Sequence, residues 1–279
     1  MHREMIDPDA MRPNTIDLDG VSASWLADEL DDRGVVRLQD VFATEWLEAM
    51  RASVADYVAS HGDGDVFIPD PDHRIGSPAH QLLSDPALRR LFSDVAKLRR
   101  PDARSEQILR CAIPVRKGIA PKARSNLFHY DASVLTMVIP VFIPHATVGS
   151  CGELVSVGNK RPFRRFVATH LIETALTHNS LYRRHVVKKV NRAPEKYIVD
   201  LKPGDAYMFW GYRTYHGNLV CAPGLLRATL VLQFGDVHSE SWLLKAAWRF
   251  SRSRRDLDRF QYDSTARTAT TSGIRERVA

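Results

Sequence analysis

Apolar residues recur every three or four positions in the first hundred residues, which is the spacing of one helix face. The pattern predicts a short helix that Ser24 caps and that ends near Gly34. A second helix is predicted with Thr44 as its cap, and a third begins at Asp85. Residues 35–42, between the first two helices, predict a strand.

From residue 107 onward, short apolar and β-branched runs separated by turn residues replace the helical spacing. The run 134–143 is apolar along nearly its whole length, which is typical of a strand buried on both faces. A largely helical insertion near residues 162–190 interrupts the strands. The predicted strands are residues 107–115, 134–143, 153–157, 196–201, 206–210 and 227–235.

This order of elements predicts a mainly β fold with flanking helices. Several strands joined by long loops are typical of a double-stranded β-helix, the jelly-roll or cupin-like architecture. We expect a single domain over residues 21–262 that includes the N-terminal helices, the insertion and a C-terminal helix. Residues 1–20 are expected to form a flexible lead, and residues 263–279 a disordered tail.

Three features of the sequence bear on the cellular compartment of the protein. No apolar run approaches the roughly 20 residues of a membrane span, and residues 1–20 lack the basic start and apolar block of a secretion signal. The three cysteines, Cys111, Cys151 and Cys221, include no C-x-x-C pair, so they indicate neither a disulfide framework nor a zinc knuckle. We therefore expect a cytoplasmic protein without a transmembrane segment.

The chain is basic, with a formal net charge of +6 and a pI near 9.3. Such a charge can attract an anionic substrate or a polyanion. The densest basic stretch, residues 245–259, falls in the predicted C-terminal helix, where a solvated charged face is the ordinary interpretation. No aromatic and basic recognition motif accompanies it, so no nucleic-acid partner is expected. No sequence feature indicates an oligomeric state.

The chain also carries a set of residues suited to a metal ion. His129 and Asp131 lie two apart where a loop enters the apolar run 134–143, and in extended backbone two such residues point to the same face. His216 follows a Pro-Gly turn and another apolar strand. Two histidines and one carboxylate on one face are typical of non-haem Fe(II) oxygenases, because they leave the other coordination positions open.

An arginine follows the distal histidine by eleven positions. Arg227 begins a strand in which it shares a face with Thr229. Because a buried guanidinium is costly without a partner, Arg227 is expected to meet an anion.

On these residues the chain resembles Fe(II)- and 2-oxoglutarate-dependent dioxygenases of the phytanoyl-CoA dioxygenase-like family. The shared features are the H-x-D motif, a distal histidine after a strand that contains Gly204-Asp205, and an arginine about ten residues later. Residues 151–160 also resemble the family's G-x-L-x-x-x-x-G-S-H segment, although Asn159-Lys160 replaces Ser-His. The likeness covers residues 22–236, with the substrate-facing segments matching least.

The resemblance implies an enzyme with Fe(II), 2-oxoglutarate and O2. It implies that His129, Asp131 and His216 are catalytic residues that bind iron. Arg227 would bind the distal carboxylate of 2-oxoglutarate, with the hydroxyl of Thr229 beside it. Related halogenating enzymes carry a small residue at the carboxylate position, so Asp131 implies oxygenation instead.

The implied reaction is hydroxylation of an unactivated C–H bond, with release of succinate and CO2. The expected substrate is a polar or anionic small molecule, with a sugar acid, an acyl conjugate and a natural-product intermediate all open. Candidate substrate contacts are Asn126, Tyr212 and Arg213. Two alternatives stay open, a jelly-roll metal-binding protein without oxygenase activity and a nucleic-acid-directed oxygenase.

Overall fold

A computed structural model describes residues 15–62, 64–101, 108–118, 128–163 and 180–237. These residues lie in one compact unit, Met1–Val237. The predicted C-terminal helix, the predicted tail and most of the predicted lead lie outside the described residues, as does Asn126. The extent of the domain therefore stays a prediction.

Four of the five α-helices of the described residues lie in the N-terminal part of the chain, and the fifth lies largely within the predicted insertion. They are α1 (Ala23–Arg33), α2 (Thr44–Ser60), α3 (Pro78–Ser84), α4 (Pro86–Arg99) and α5 (Ser180–Arg192). Asp85 caps α4 as predicted, because its carboxylate accepts hydrogen bonds from the amides of Ala87 and Leu88. The predicted cap of α1 was wrong, since Ser22 and not Ser24 accepts the amide of Trp25.

Nine strands are present among the described residues. They are β1 (Val35–Leu38), β2 (Val66–Pro69), β3 (Ile108–Arg116), β4 (Ser133–Phe142), β5 (Leu154–Asn159), β6 (Ile198–Val199), β7 (Ala206–Trp210), β8 (Thr214–Asn218) and β9 (Arg227–Asp236). The sequence pattern did not predict β2 or β8. Both strands are short, and each lies in a stretch whose residue types are typical of loops or turns.

The strands form two antiparallel sheets. The larger has six strands in the order β1-β7-β4-β9-β3-β2, and the smaller has three in the order β6-β5-β8. Their facing sides meet in an inter-sheet core that includes Val138, Phe209 and Leu154. Mainly antiparallel sheets packed face to face, with helices outside, confirm the predicted jelly roll.

Alternation along β9 decides which side chains enter the space between the sheets. Ala228, Leu230 and Leu232 are fully buried in the core between the larger sheet and the N-terminal helices. Arg227 and Thr229 lie on the opposite face, which also carries Val231 into the inter-sheet core. β4 is thus covered on both faces, which explains why its residues are apolar along nearly the whole strand.

Helix α5 covers the outer face of the smaller sheet. Val186 and Val190 are buried there in a core that they share with Val155, Val157 and Tyr215. The described part of the predicted insertion therefore supports the smaller sheet from outside. None of the described helices is long and apolar enough to span a lipid bilayer.

Two chain crossings connect the sheets at the same corner. Residues 128–133 lead from the edge of β8 into β4, and residues 210–214 lead from β7 into β8. The amide of Asp131 donates to the carbonyl of Gly211 (2.9 Å), and the amide of Gly211 donates to the carbonyl of Val134 (3.1 Å). The two crossings are therefore bonded side by side, and this corner positions the site described below.

A buried carboxylate holds the edge strand β1 to the larger sheet. Asp205 accepts hydrogen bonds from the Nε of Arg37 (2.5 Å), the amide of Asp40 (2.9 Å) and the hydroxyl of Tyr207 (3.1 Å). We predict that Asp205→Ala lowers the free energy of unfolding by about 1.5–3 kcal/mol, because it removes the charged acceptor of three hydrogen bonds. Urea titration followed by circular dichroism measures the change.

The matched control is Arg33→Ala, which breaks an exposed ion pair with Glu29 of similar length (2.6 Å). Exposed pairs contribute at most about 1 kcal/mol. Equal losses in the two variants would contradict the structural role given to Asp205.

Candidate metal centre

Three side chains converge at the corner between the sheets. One ligand atom each from His129, Asp131 and His216 lies within 4.8 Å of the other two. The Nε2 atom of His129 is 3.3 Å from one carboxylate oxygen of Asp131, and that of His216 is 3.6 Å from the other. Asp131 and His216 are buried, whereas the side chain of His129 is 41% exposed. The three residues predicted from the sequence are thus brought together.

Backbone pairing holds the two histidines opposite each other. His129 and His216 form an antiparallel bridge in which each amide donates to the other's carbonyl, at 2.8 and 3.0 Å. Directly opposed residues in such a pair project to the same face of the sheet. Gly217 permits this approach, because a Cβ there would lie 3.0 Å from the Cα of Phe128.

The carboxylate of Asp131 is oriented by its neighbours in β4. The hydroxyl of Thr136 donates to Oδ2 of Asp131 (2.5 Å), and the hydroxyls of Ser133 and Thr136 lie 3.0 Å apart. Gly211 leaves room for this group, since a Cβ at residue 211 would lie 2.4 Å from Oγ of Ser133. Hydrogen bonds of this kind fix the direction of a metal-binding carboxylate.

The protonation states suit metal binding. Burial lowers the pKa of His216, which favours the neutral imidazole that a metal requires. Its Nδ1 lies 3.0 Å from the carbonyl of Thr214, so a proton on Nδ1 leaves Nε2 with its lone pair toward Asp131. Burial opposes the charge of Asp131, but the two histidines and Thr136 outweigh it and hold the pKa of the carboxyl well below its usual range.

Arg227 is a buried cation close to this centre. Its Nη2 donates to Oδ1 of Asn218 (3.0 Å), and Asn218 lies two residues beyond His216 on the same face of β8. The guanidinium therefore lies about one residue pair, roughly 7 Å, along the strand from His216. Nε of Arg227 is buried and finds no hydrogen-bond acceptor among the described residues.

The surroundings of Arg227 favour an anion beside it. Burial, together with the nearby charge of Arg116, lowers the pKa of Arg227 to about 10. An anion would offset the cost of burying this charge and could occupy the donor at Nε. Thr229 is also buried, on the same face of β9.

The predicted substrate residues lie at different places around the corner. Tyr212 is fully buried, with its ring stacked near Phe163, and the guanidinium of Arg213 pairs with Asp31 on α1. Asn126 lies outside the described residues. The substrate roles of all three residues stay predictions.

The sequence patterns did not single out Thr136, Gly211 or Asn218. Sequence signals could have found the first and the last of these residues. Thr136 is the one hydroxyl residue in the run 134–143, and Asn218 shares the strand face of His216 through the period of two. Gly211 has no comparable signal, because its importance depends on how closely two distant segments pack.

This chain is similar to several solved structures. No protein-family model matches this chain, and no curated protein sequence matches it either. AviO1 from Streptomyces viridochromogenes Tue57 is similar in fold, with 15% identity over 79% of this chain and 98% of that one, at a TM-score of 0.50. At this identity the likeness shows the fold alone.

Two further solved structures match with TM-scores of 0.49. One is EctD from S. alaskensis, solved with 2-oxoglutarate and 5-hydroxyectoine, at 17% identity over 81% of each chain. The other is SnoN, a non-haem α-ketoglutarate-dependent epimerase from nogalamycin biosynthesis, at 16% identity over 76% of this chain and 84% of that one.

The hydrogen bond from Thr136 to Asp131 should raise the affinity of the site for Fe(II). Thr136→Val removes the donor to Asp131 at nearly constant volume, so the affinity for Fe(II) should fall by about 10- to 100-fold. Anaerobic Fe(II) titration of the purified protein measures it. Thr229→Val makes the same change about 13 Å farther along the sheet and should leave Fe(II) affinity unchanged. Equal affinities in the two variants would refute the role of Thr136.

Proposed function

We propose that this protein is an Fe(II)- and 2-oxoglutarate-dependent dioxygenase of the phytanoyl-CoA dioxygenase-like group. The observation that carries the proposal is a two-histidine, one-carboxylate centre with a buried arginine beside it. The donor set suits ferrous iron, since imidazole and carboxylate bind it and half of its coordination positions stay available. Arg227 distinguishes this arrangement from a structural metal site, because a purely structural ion needs no anion-binding group next to it.

When bound, iron and 2-oxoglutarate would supply the oxidising chemistry, with release of succinate and CO2. His129, Asp131 and His216 would hold the metal on one side. Asp131 would bring the negative charge that partly offsets the metal's, while the hydroxyl of Thr136 keeps its carboxylate in place.

Arg227 would hold the distal carboxylate of 2-oxoglutarate. A guanidinium presents parallel N–H donors that match a carboxylate, and it stays charged at neutral pH even at a pKa of about 10. Asn218 orients Nη2 and so leaves Nε for the ligand. The hydroxyl of Thr229, on the same strand face, would add a further hydrogen bond.

The apolar lining of the space between the sheets would exclude water from the reaction. The ring of Phe209 lies 4.6 Å from that of His216, and Val138 and Val231 are paired across β4 and β9 on the same face. A dry site strengthens the electrostatic contacts to a bound anion and protects reactive species from side reactions.

We propose hydroxylation of a polar or anionic small molecule as the reaction. The basic side chain of Arg110, which lies on the same face of the larger sheet as Thr136, supports this substrate class. Arg110 is exposed and lies opposite Gln233, which in turn lies opposite Thr136. The guanidinium of Arg110 also lies 5.0 Å from the ring of Phe67, which is 39% exposed.

The three buried free cysteines are compatible with the reducing cytoplasm that we expect.

The direct test adds Fe(II) and 2-oxoglutarate without oxygen and records visible absorption. We expect a metal-to-ligand charge-transfer band, followed by succinate formation when air is admitted. Absence of both the band and succinate would favour the alternative of a metal-binding protein without oxygenase activity.

Arg227→Met separates binding of the cosubstrate from binding of the metal. It should weaken 2-oxoglutarate binding at least about tenfold, the effect of losing a charge-assisted hydrogen bond, while leaving Fe(II) binding intact. His216→Ala should abolish both. Titration of the absorption band measures each affinity.

The matched control is Arg116→Met, since Arg116 lies opposite Arg227 but pairs with Asp65 (3.2 Å). It should weaken 2-oxoglutarate binding much less than Arg227→Met. An Arg227→Met variant that binds 2-oxoglutarate like the wild type would overturn the role of Arg227.

A further inference from the structure

Arg161 is a buried cation between two aromatic rings. It is 4% exposed, and its guanidinium carbon lies 3.9 Å from the ring centre of Tyr130 and 3.8 Å from that of Tyr212. A cation over an aromatic face is attracted to it, and the attraction is strongest when the cation is desolvated. Arg161 therefore holds two rings together at close range.

The two rings belong to the two chain crossings that carry the metal ligands. Tyr130 lies between His129 and Asp131 in the first crossing. Tyr212 lies in the second crossing, directly after Gly211, whose carbonyl accepts the amide of Asp131. The side chain of Arg161 thus bridges the segment that bears two ligands and the segment that leads to the third.

Further contacts fix Arg161 in this position. Its Nε donates to the carbonyl of Tyr212, and its own carbonyl accepts from Nε of Arg213 (3.3 Å). The amide of Lys160 donates to the carbonyl of Arg213 (3.0 Å), which extends the pairing of β5 with β8 up to Arg161. Beyond Tyr212, the ring of Phe163 continues the stack at 6.0 Å and 13°.

Arg161 acts from the side of the corner opposite to the ligands. In extended backbone, Tyr130 points away from the face that carries His129 and Asp131. Tyr130 accordingly packs against Tyr215 (5.0 Å), on the outer face of the smaller sheet, and not into the space between the sheets. Any influence of Arg161 on the metal must pass through the backbone of the two crossings.

We propose that Arg161 is a positioning residue that sets the spacing of the two crossings and thereby the geometry of the three metal ligands. The proposal rests on the proposed function only in taking His129, Asp131 and His216 as the ligands. The flat guanidinium is essential to this role, because it fills the gap between two rings while its Nε reaches the carbonyl of Tyr212. A lysine keeps the charge but has neither the plane nor the fork.

The test is Co(II) binding to the Arg161→Lys variant in the absence of 2-oxoglutarate. Co(II) reports both affinity and coordination geometry through its visible d–d bands. We expect about tenfold weaker Co(II) binding and an altered d–d spectrum in a protein with a wild-type far-ultraviolet circular dichroism spectrum. Wild-type affinity together with a wild-type spectrum would overturn the proposal.

A matched control comes from a similar arginine far from the site. Arg51 donates from Nε to the carbonyl of Val141 (3.0 Å) and lies 5.9 Å from the ring centre of Phe142. Arg51→Lys makes the same chemical change and should leave Co(II) affinity and spectrum unchanged. An equal effect of Arg51→Lys would refute a specific role for Arg161.

Tyr130→Leu keeps the proposal testable if Arg161→Lys does not fold. It removes one ring of the stack at a half-buried position and should change the Co(II) spectrum in the same direction. Unchanged binding in Tyr130→Leu would count against the proposal. Because the assay uses neither oxygen nor 2-oxoglutarate, failure of the proposed function would appear separately, as a wild-type protein that binds Co(II) but forms no succinate.

Discussion

The backbone pairing of two chain crossings is the constraint on which the site depends. Residues 128–131 and 211–217 are bonded through His129 to His216 and through Asp131 to Gly211. These bonds place imidazoles from distant parts of the chain opposite each other and turn the carboxylate toward them. Two glycines, Gly211 and Gly217, permit the close approach, because a side chain at either would collide with the neighbouring crossing.

Burial then determines the charges at this corner. A buried imidazole favours its neutral form, and a carboxylate that accepts hydrogen bonds beside two imidazoles stays ionised. Arg227 is the counterpart, a cation that burial destabilises and that an anion would stabilise. The same low-polarity environment that makes these groups costly to bury would make them effective in binding the proposed metal ion and dicarboxylate.

Much of this arrangement could be predicted from the sequence. The alternation of β9 placed Arg227 and Thr229 together, and the nearly continuous apolar run of β4 indicated a strand covered on both sides. The H-x-D spacing placed two candidate ligands on one face because the period of a strand is two.

The rest depends on packing between distant segments, which a single sequence does not encode locally. The chain between Trp210 and Asn218 contains β8, but its turn residues concealed the strand, which forms through pairing with β5. Arg161 resembled an ordinary residue after a strand, and its contacts with Tyr130 and Tyr212 exist only once both crossings meet. The fold and the candidate ligands were therefore accessible from local patterns, whereas the groups that orient these candidates were not.

The most direct test of the central claim is X-ray absorption at the iron edge of the anaerobic Fe(II)-loaded protein. We expect a first shell of nitrogen and oxygen atoms with the outer scattering of two imidazole rings. A sulfur shell, or the absence of outer scattering from imidazole, would contradict the assignment of His129 and His216 as ligands.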